Sequence, residues 1–192
     1  DLPYPFCFDA ATSITQRGKI EVLEREETPA PAGWVINANG EPVTDPTTIL
    51  RDLDTGNAAL LPLGGAGELM GGHKGYGLAV MVEILSASLQ EGAFLKDLLG
   101  KAPDGSRRPY MLGHFFLALN IEHFIPLEVS RRITTQILLD LQRSRKAPGC
   151  ERIYVAGEKE YEMEQERRRT GIPVNENLRR ELQYMRDELG IA

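Results

Sequence analysis

Apolar residues fall along this chain in short runs, separated by clusters of Pro, Gly, Asn and Asp, and the runs show two different periodicities. Phe6, Cys7 and Phe8 read as a buried strand whose end delivers Asp9 to a turn. Residues 18–27 carry a helical pattern with Lys19, Glu24 and Arg25 on the wet side, ended by Pro29 and Pro31, which cannot continue a helix. Trp34, Val35 and Ile36 form a short strand before an Asn39-Gly40 turn. Thr44-Asp45-Pro46 is a loop opening a helical turn. Residues 77–90 are apolar on nearly every face, so the pattern predicts a central helix that is buried on all sides or lies in a subunit interface. Glu83 is its one ionisable group, and a structural hydrogen bond or an interface pair is the favoured role for it.

Residues 101–106 are a loop, and residues 114–119 read as a central strand, continuously apolar as expected when both faces are covered. Pro126 suits the first turn of a helix running to about Arg145, with Ile133, Ile137, Leu138 and Leu141 as its inner stripe. Residues 152–156 form another short strand. Two polar amphipathic helices, 158–169 and 175–189, finish the chain around the stop signal Gly171-Ile172-Pro173. Strands alternating with helices predict an α/β fold.

Composition narrows the classes of function. The 192 residues are 42% hydrophobic and 26% charged, which is ordinary for a globular chain with a core. A net charge of -6 argues against a nucleic-acid footprint, and the Arg167-Arg168-Arg169 run sits in a Glu-rich helix where i,i+4 pairing is expected. Cys7 and Cys150 are too few for a disulfide scaffold and point to a reducing cytoplasm. No apolar run is long enough to span a bilayer. Three scattered His and two distant Cys give no metal-ligand spacing.

The densest chemistry lies between Gly64 and Gly77. Seven glycines there surround His73 and Lys74, directly ahead of the apolar helix. Glycines admit close approach of backbone to a ligand, and a helix start offers free N–H groups and the positive end of its dipole. With Lys74 added, the setting suits an anionic ligand such as a pyrophosphate or carboxylate. It is not a Walker A loop, because Lys74 is followed by Gly75 and not by Ser or Thr. It is not a Rossmann fingerprint either, since the third glycine would fall on Met70. Spacing alone leaves the ligand unnamed, and a flexible loop capping a buried helix is the other reading.

Gly71-Gly72-His73-Lys74-Gly75-Tyr76-Gly77-Leu78 resembles the hallmark segment of the malate/L-lactate dehydrogenase family, whose fold is unrelated to the Rossmann-type dehydrogenases. The family includes sulfolactate, ureidoglycolate and piperideine-carboxylate oxidoreductases. Asp9-Ala10-Ala11-Thr12-Ser13 resembles the family's Asp-Met-Ala-Thr-Ser, with Ala10 a departure. Leu60-Leu61-Pro62-Leu63-Gly64-Gly65, Gly113-His114-Phe115-Phe116, Ile121-Glu122-His123-Phe124-Ile125-Pro126-Leu127 and Gly157-Glu158-Lys159 follow in the family's order. The likeness spans nearly the whole chain, and several blocks resemble the malate dehydrogenase branch most.

The resemblance implies an α/β fold with a mixed sheet and covering helices, residues 1–157 forming a cofactor-binding domain and residues 158–192 a C-terminal helical segment. It implies hydride transfer between NAD or NADP and a small 2-hydroxy or 2-keto acid, with malate and oxaloacetate the favoured couple. Cofactor-contacting positions map to Asp9, Ala10, Ala11, Thr12, Ser13, Lys74, Gly157, Glu158 and Lys159, with His73 a neighbour that either orients Lys74 or contacts the cofactor. Asp9, Thr12 and Ser13 have helix capping as their other reading, and Glu158 that of an ordinary first-turn carboxylate. His114 is expected to satisfy a polar contact in the core and His123 to be a loop histidine. The family's catalytic His and the Arg that pairs with the substrate carboxylate are expected upstream of residue 1. Three readings follow: a dehydrogenase completed by that segment, a homodimer being expected; a chain that only binds cofactor or a partner; and an oligomerisation module built on the apolar helix.

Overall fold

The computed structural model describes residues 2–191, which fall into two compact units. One is drawn from the described residues through Ala10 and from Leu117 onward, and the other is Ala11–Phe116. The boundary expected after residue 157 lies inside the first of these.

The unit Ala11–Phe116 is built on helices α1 (Arg17–Arg25), α2 (Pro46–Thr55) and α3 (Gly72–Ala87) and strands β1 (Val35–Asn37) and β2 (Ala58–Leu60). Its core is Ile20 from α1, Ala30, Val35 from β1 and Ile49 from α2, with Leu23, Trp34, Leu53 and Leu60 packed around them. Asp45 fixes where α2 begins: its carboxylate accepts the Thr48 N–H at 2.9 Å, and Pro46, which has no N–H to lose, takes the first helical position. A full ten-residue helix follows, where the sequence suggested a single helical turn. β1 and β2 pair antiparallel with Val35 opposite Leu60. The pairing continues past β2, because the Leu61 N–H donates to the Trp34 carbonyl, the Ile14 N–H to the Leu61 carbonyl and the Leu63 N–H to the Thr12 carbonyl, at 2.8–3.0 Å.

In the other unit, α4 (Leu127–Arg143), α5 (Glu158–Thr170) and α6 (Glu176–Leu189) stand close to the expected bounds. Of the α5 arginines, Arg168 pairs with Glu164 one turn away. Cys7 donates its N–H to the Ala156 carbonyl at 3.2 Å, and the Tyr4 and Tyr161 rings meet at 5.6 Å.

The fold is α/β and dominated by helix, and the sheet among the described residues is this one antiparallel pair. The strands expected at 6–8, 114–119 and 152–156 do not form, and Phe8, Phe116 and Leu117 are 73%, 87% and 73% exposed. Apolar runs report what a segment would bury. A strand also needs a continuous ladder of partners for its N–H and C=O groups, and among the described residues the Cys7 bond to the Ala156 carbonyl joins 6–8 to 152–156 without extending into one. The same reasoning corrects two helices. α3 begins five residues before the expected start and gives way to a 3₁₀ turn at Ser88–Gln90, and its Leu78, Met81, Val82 and Ile84 are exposed rather than buried. On α4 only Leu138 of the expected stripe is buried, while Ile133, Ile137 and Leu141 are exposed. No helix among the described residues is long and apolar enough to cross a membrane.

Ile49 is fully buried at the centre of the α1, α2 and β1 packing. Ile49→Ala is expected to cost about 2–4 kcal/mol of stability, the range for emptying a packed aliphatic site. Urea unfolding measures it, and a loss under about 1 kcal/mol would contradict this core.

Candidate functional site

The first turn of α3 sits directly on the segment that precedes it. A side chain at Gly75 would collide with the Leu63 backbone, and one at Gly72 with the Gly65 and Gly67 carbonyls. A side chain at Gly64 would likewise meet the Gly71 backbone, so three of the seven glycines are required by backbone-on-backbone packing, without reference to any ligand. Leu63 is the residue whose N–H is held by Thr12 at 3.0 Å. This brings Ala11, Thr12 and Ser13, which are half-buried, to the same part of the unit as His73 and Lys74, which are exposed.

Gly71 caps α3 in the left-handed conformation (φ 84°) and offers no side-chain cap, so the first-turn amides meet no side-chain acceptor. The Lys74 N–H returns to the Gly71 carbonyl at 2.9 Å, and its side chain passes over Gly71. The result is a concentration of donors and positive charge with no Cβ in front of it, which fits an anionic group such as a pyrophosphate. The His73 side chain makes no hydrogen bond to another described residue, so it does not orient Lys74.

The chain around Thr12 does not cap a helix. The α1 cap position is Gln16, without a side-chain bond, and the Ser13 hydroxyl donates to the Thr15 carbonyl. Thr15 itself is buried, and its Oγ1 has no hydrogen-bond partner among the described residues. An orphaned hydroxyl cannot be foreseen from a Thr in a loop.

Asp9, Ala10, Gly157, Glu158 and Lys159 belong to the other unit. Asp9 and Ala10 lie outside any helix or strand and are exposed, two and three residues beyond the Cys7 bond to Ala156. Gly157 adopts φ 93° at the cap of α5, and a side chain there would meet the Pro5 carbonyl, so the turn lies flat against the incoming N-terminal segment.

Glu158 is 1% exposed. One carboxylate oxygen accepts from Gln142 Nε2 at 2.9 Å and from the Val155 N–H at 3.1 Å; the other meets the Arg152 guanidinium. Burial works against ionisation and is the largest influence, but the Val155 amide, Gln142 and Arg152 together outweigh it and hold the carboxyl below its usual range. These bonds tie its carboxylate to the 155–158 turn. Lys159 Nζ and the Arg152 guanidinium each lie 4.7 Å from the Tyr154 ring centroid. Glu158 and Glu160 make the first turn of α5 acidic, so this helix start suits neutral hydroxyl or amide groups better than phosphate. Gln142, Arg152 and Tyr154 were not singled out by the sequence, because their roles come from contacts made between α4, the 152–156 segment and α5.

The remaining ionisable groups are placed plainly. Glu83 accepts the Leu95 N–H at 2.7 Å, the structural bond expected of it. His114 is exposed and stacks on Phe116 at 6.2 Å, which corrects the expected core contact. His123 lies in an exposed 3₁₀ turn.

Comparison with known proteins gives the wider setting. The sequence pattern described as malate/L-lactate dehydrogenase matches residues 2–183. The malate dehydrogenase of Pyrococcus horikoshii is 41% identical over 187 residues, 97% of this chain and 49% of that protein. The L-sulfolactate dehydrogenase of Methanocaldococcus jannaschii is 33% identical, over 98% of this chain and 49% of that protein. The crystal structure of malate dehydrogenase from Entamoeba histolytica superimposes with a TM-score of 0.90 at 36% identity, covering 100% of this chain and 53% of that one. The chain therefore spans about half the length of the relatives it matches.

Because the Glu158 carboxyl is lowered by folding, the stability it confers is present above the ordinary carboxylate range and lost as pH falls through the lowered value. Glu158→Gln should melt below the parent at pH 7, and the gap should narrow on acidification. A gap that is constant with pH, followed by thermal melts, would contradict an ionised, structurally engaged Glu158.

Proposed function

Since this chain belongs to the malate/L-lactate dehydrogenase family, we propose that it is the cofactor-binding part of an oxidoreductase moving a hydride between nicotinamide and C2 of a small 2-hydroxy or 2-keto acid. The observation that carries this reading is the α3 start: uncapped amides, a glycine surface and Lys74, beside Thr12 and Ser13 through their shared contact with Leu63. NAD or NADP supplies the hydride chemistry when bound, and the chain's part is to hold and orient it. Lys74 and the first-turn amides of α3 take the pyrophosphate. Ala11, Thr12 and Ser13 offer backbone and hydroxyl groups alongside, and His73, exposed on the same turn, lies within this surface. In the other unit, taken by itself, Asp9, Ala10, Gly157, Glu158 and Lys159 are cofactor-contacting positions by the family resemblance, and Glu158 also positions the Gly157 turn.

Malate and oxaloacetate are the favoured couple, supported by the 41% identity to a malate dehydrogenase; the 33% identity to a sulfolactate dehydrogenase supports the wider class of 2-hydroxy acids. Among the described residues no carboxylate is hydrogen-bonded to the ring of His73, His114 or His123. We assign the proton donor and the substrate-binding Arg to the part of the relatives' length that this chain does not span. The surface for that polypeptide is the exposed apolar side of α3, where a groove of about 800 Å³ is lined by Tyr76, Val80, Glu83, Ile84, Phe94 and Leu95.

Lys74→Ala is expected to weaken NADH binding by roughly 10- to 100-fold, the worth of a charge-assisted contact. Titration of the intact chain by NADH fluorescence measures this, with NADPH in a parallel run to set the cofactor preference. Unchanged affinity would remove the α3 start from the site.

A further inference from the structure

The cations of the segment that follows α3 have no part in the cofactor reading. Residues 101–107 form a tight loop that is closed by its own bonds. The Ala102 N–H donates to the Ser106 carbonyl at 2.9 Å, and Asp104 accepts from the Ser106 amide and hydroxyl at 3.0 and 2.7 Å. At the neck of the loop Lys101 and Arg107 form an antiparallel bridge, which sets two cations directly opposite each other. Like charges so placed repel, and an anion held between them reverses the sign.

The same two residues line a cavity of about 820 Å³ together with Arg17, Asp54, Arg108 and Tyr110. The neighbouring carboxylates are engaged by other cations. Arg17 meets Asp54 at 2.6 Å and Glu21 at 3.0 Å, and Arg108 meets Asp97 at 2.6 Å. Lys101 Nζ donates to a neutral group, the Asp54 carbonyl, at 3.1 Å. The Arg107 guanidinium has no partner among the described residues. Lys101 and Arg107 therefore bring two positive charges to the cavity without a carboxylate of their own. A phosphate monoester matches them, being close to doubly charged at neutral pH and offering oxygens to both a guanidinium and an ammonium. Leu53, Leu98 and Leu99 add an apolar wall. Beside it the Tyr110 ring lies against Gly100, where a Cβ would come within 2.8 Å of the ring. Such a wall with an aromatic ring takes a flat, apolar group.

We propose that this cavity is a second anion site, built from residues other than those of the α3 start, for a nucleoside monophosphate or a ligand of that class. Arg107 and Lys101 hold the phosphate, and Tyr110 lies beside the base. The proposal goes beyond the cofactor reading and does not rest on it.

Calorimetric titration of the full 192-residue chain with AMP, and in parallel with inorganic phosphate, tests it. AMP should bind roughly tenfold or more tighter than phosphate, the worth of a stacked base. Arg107→Ala should weaken both ligands roughly tenfold or more, as loss of a charge-assisted contact does. Tyr110→Ala should weaken AMP about fivefold or more and leave phosphate unchanged. Lys74→Ala should leave the binding governed by Arg107 in place. No saturable binding of AMP, or equal affinity for AMP and phosphate, would overturn the assignment. So would a loss seen in Lys74→Ala but not in Arg107→Ala, which would place the nucleotide at the α3 start instead. Without ligand, Arg107→Ala should melt at or above the parent, because the opposed charges are relieved. A melt clearly below the parent would contradict an unpaired Arg107.

Discussion

The close approach of the α3 first turn to the Leu63 backbone governs what the central unit can do. Gly75 lies on Leu63, and Gly72 on the Gly65 and Gly67 carbonyls, where any side chain would force the elements apart. Leu63 in turn is held by Thr12, and Leu61 by both Ile14 and Trp34, so the helix start, the extended 12–14 segment and β1 form one hydrogen-bonded and sterically interlocked layer. That layer rests on the Ile20, Val35 and Ile49 core. A site made of backbone amides needs such rigidity, because amides act as a set only when their spacing is fixed.

The second unit solves a related problem by other means. Its turn at 155–158 is pinned by a buried carboxylate, not by steric contact alone, with Glu158 collecting a backbone amide, an amide side chain and a guanidinium. A buried carboxylate is tolerable only when so satisfied, and the arrangement makes this turn sensitive to any change that leaves the charge unpaired. Arg152 also reaches Glu162 on α5, at 2.7 Å, and lies over Tyr154, so one exposed guanidinium links three parts of the turn.

Local signals in the sequence carried over well where the interaction that decides the structure is itself local. Asp45-Pro46 announces α2, Asn175 announces α6, and Gly171 with Pro173 separates α5 from α6. The family resemblance rests on the same kind of contiguous blocks, and the expected start of α5 at Glu158 agrees with the structure, whereas α3 starts five residues before the expected position. Legibility failed where the outcome depends on a distant partner. The run 114–119 is apolar enough for a buried strand yet stands exposed, and the inner stripe expected on α4 reduces to Leu138. The partners of Glu158 were not legible for the same reason: Gln142 and Arg152, ten residues apart in the chain and both outside its own helix, are brought to its carboxylate only by the fold.

The central claim, as proposed, is that the α3 start with the 12–13 segment receives a nicotinamide cofactor. Backbone hydrogen exchange with and without saturating NADH tests it most directly, because it reports on this surface without requiring turnover. The account predicts slowed exchange at residues 11–13 and 71–74, against little change in the Ile20, Val35 and Ile49 core. Protection confined to the apolar side of α3, or none at either segment, would contradict it.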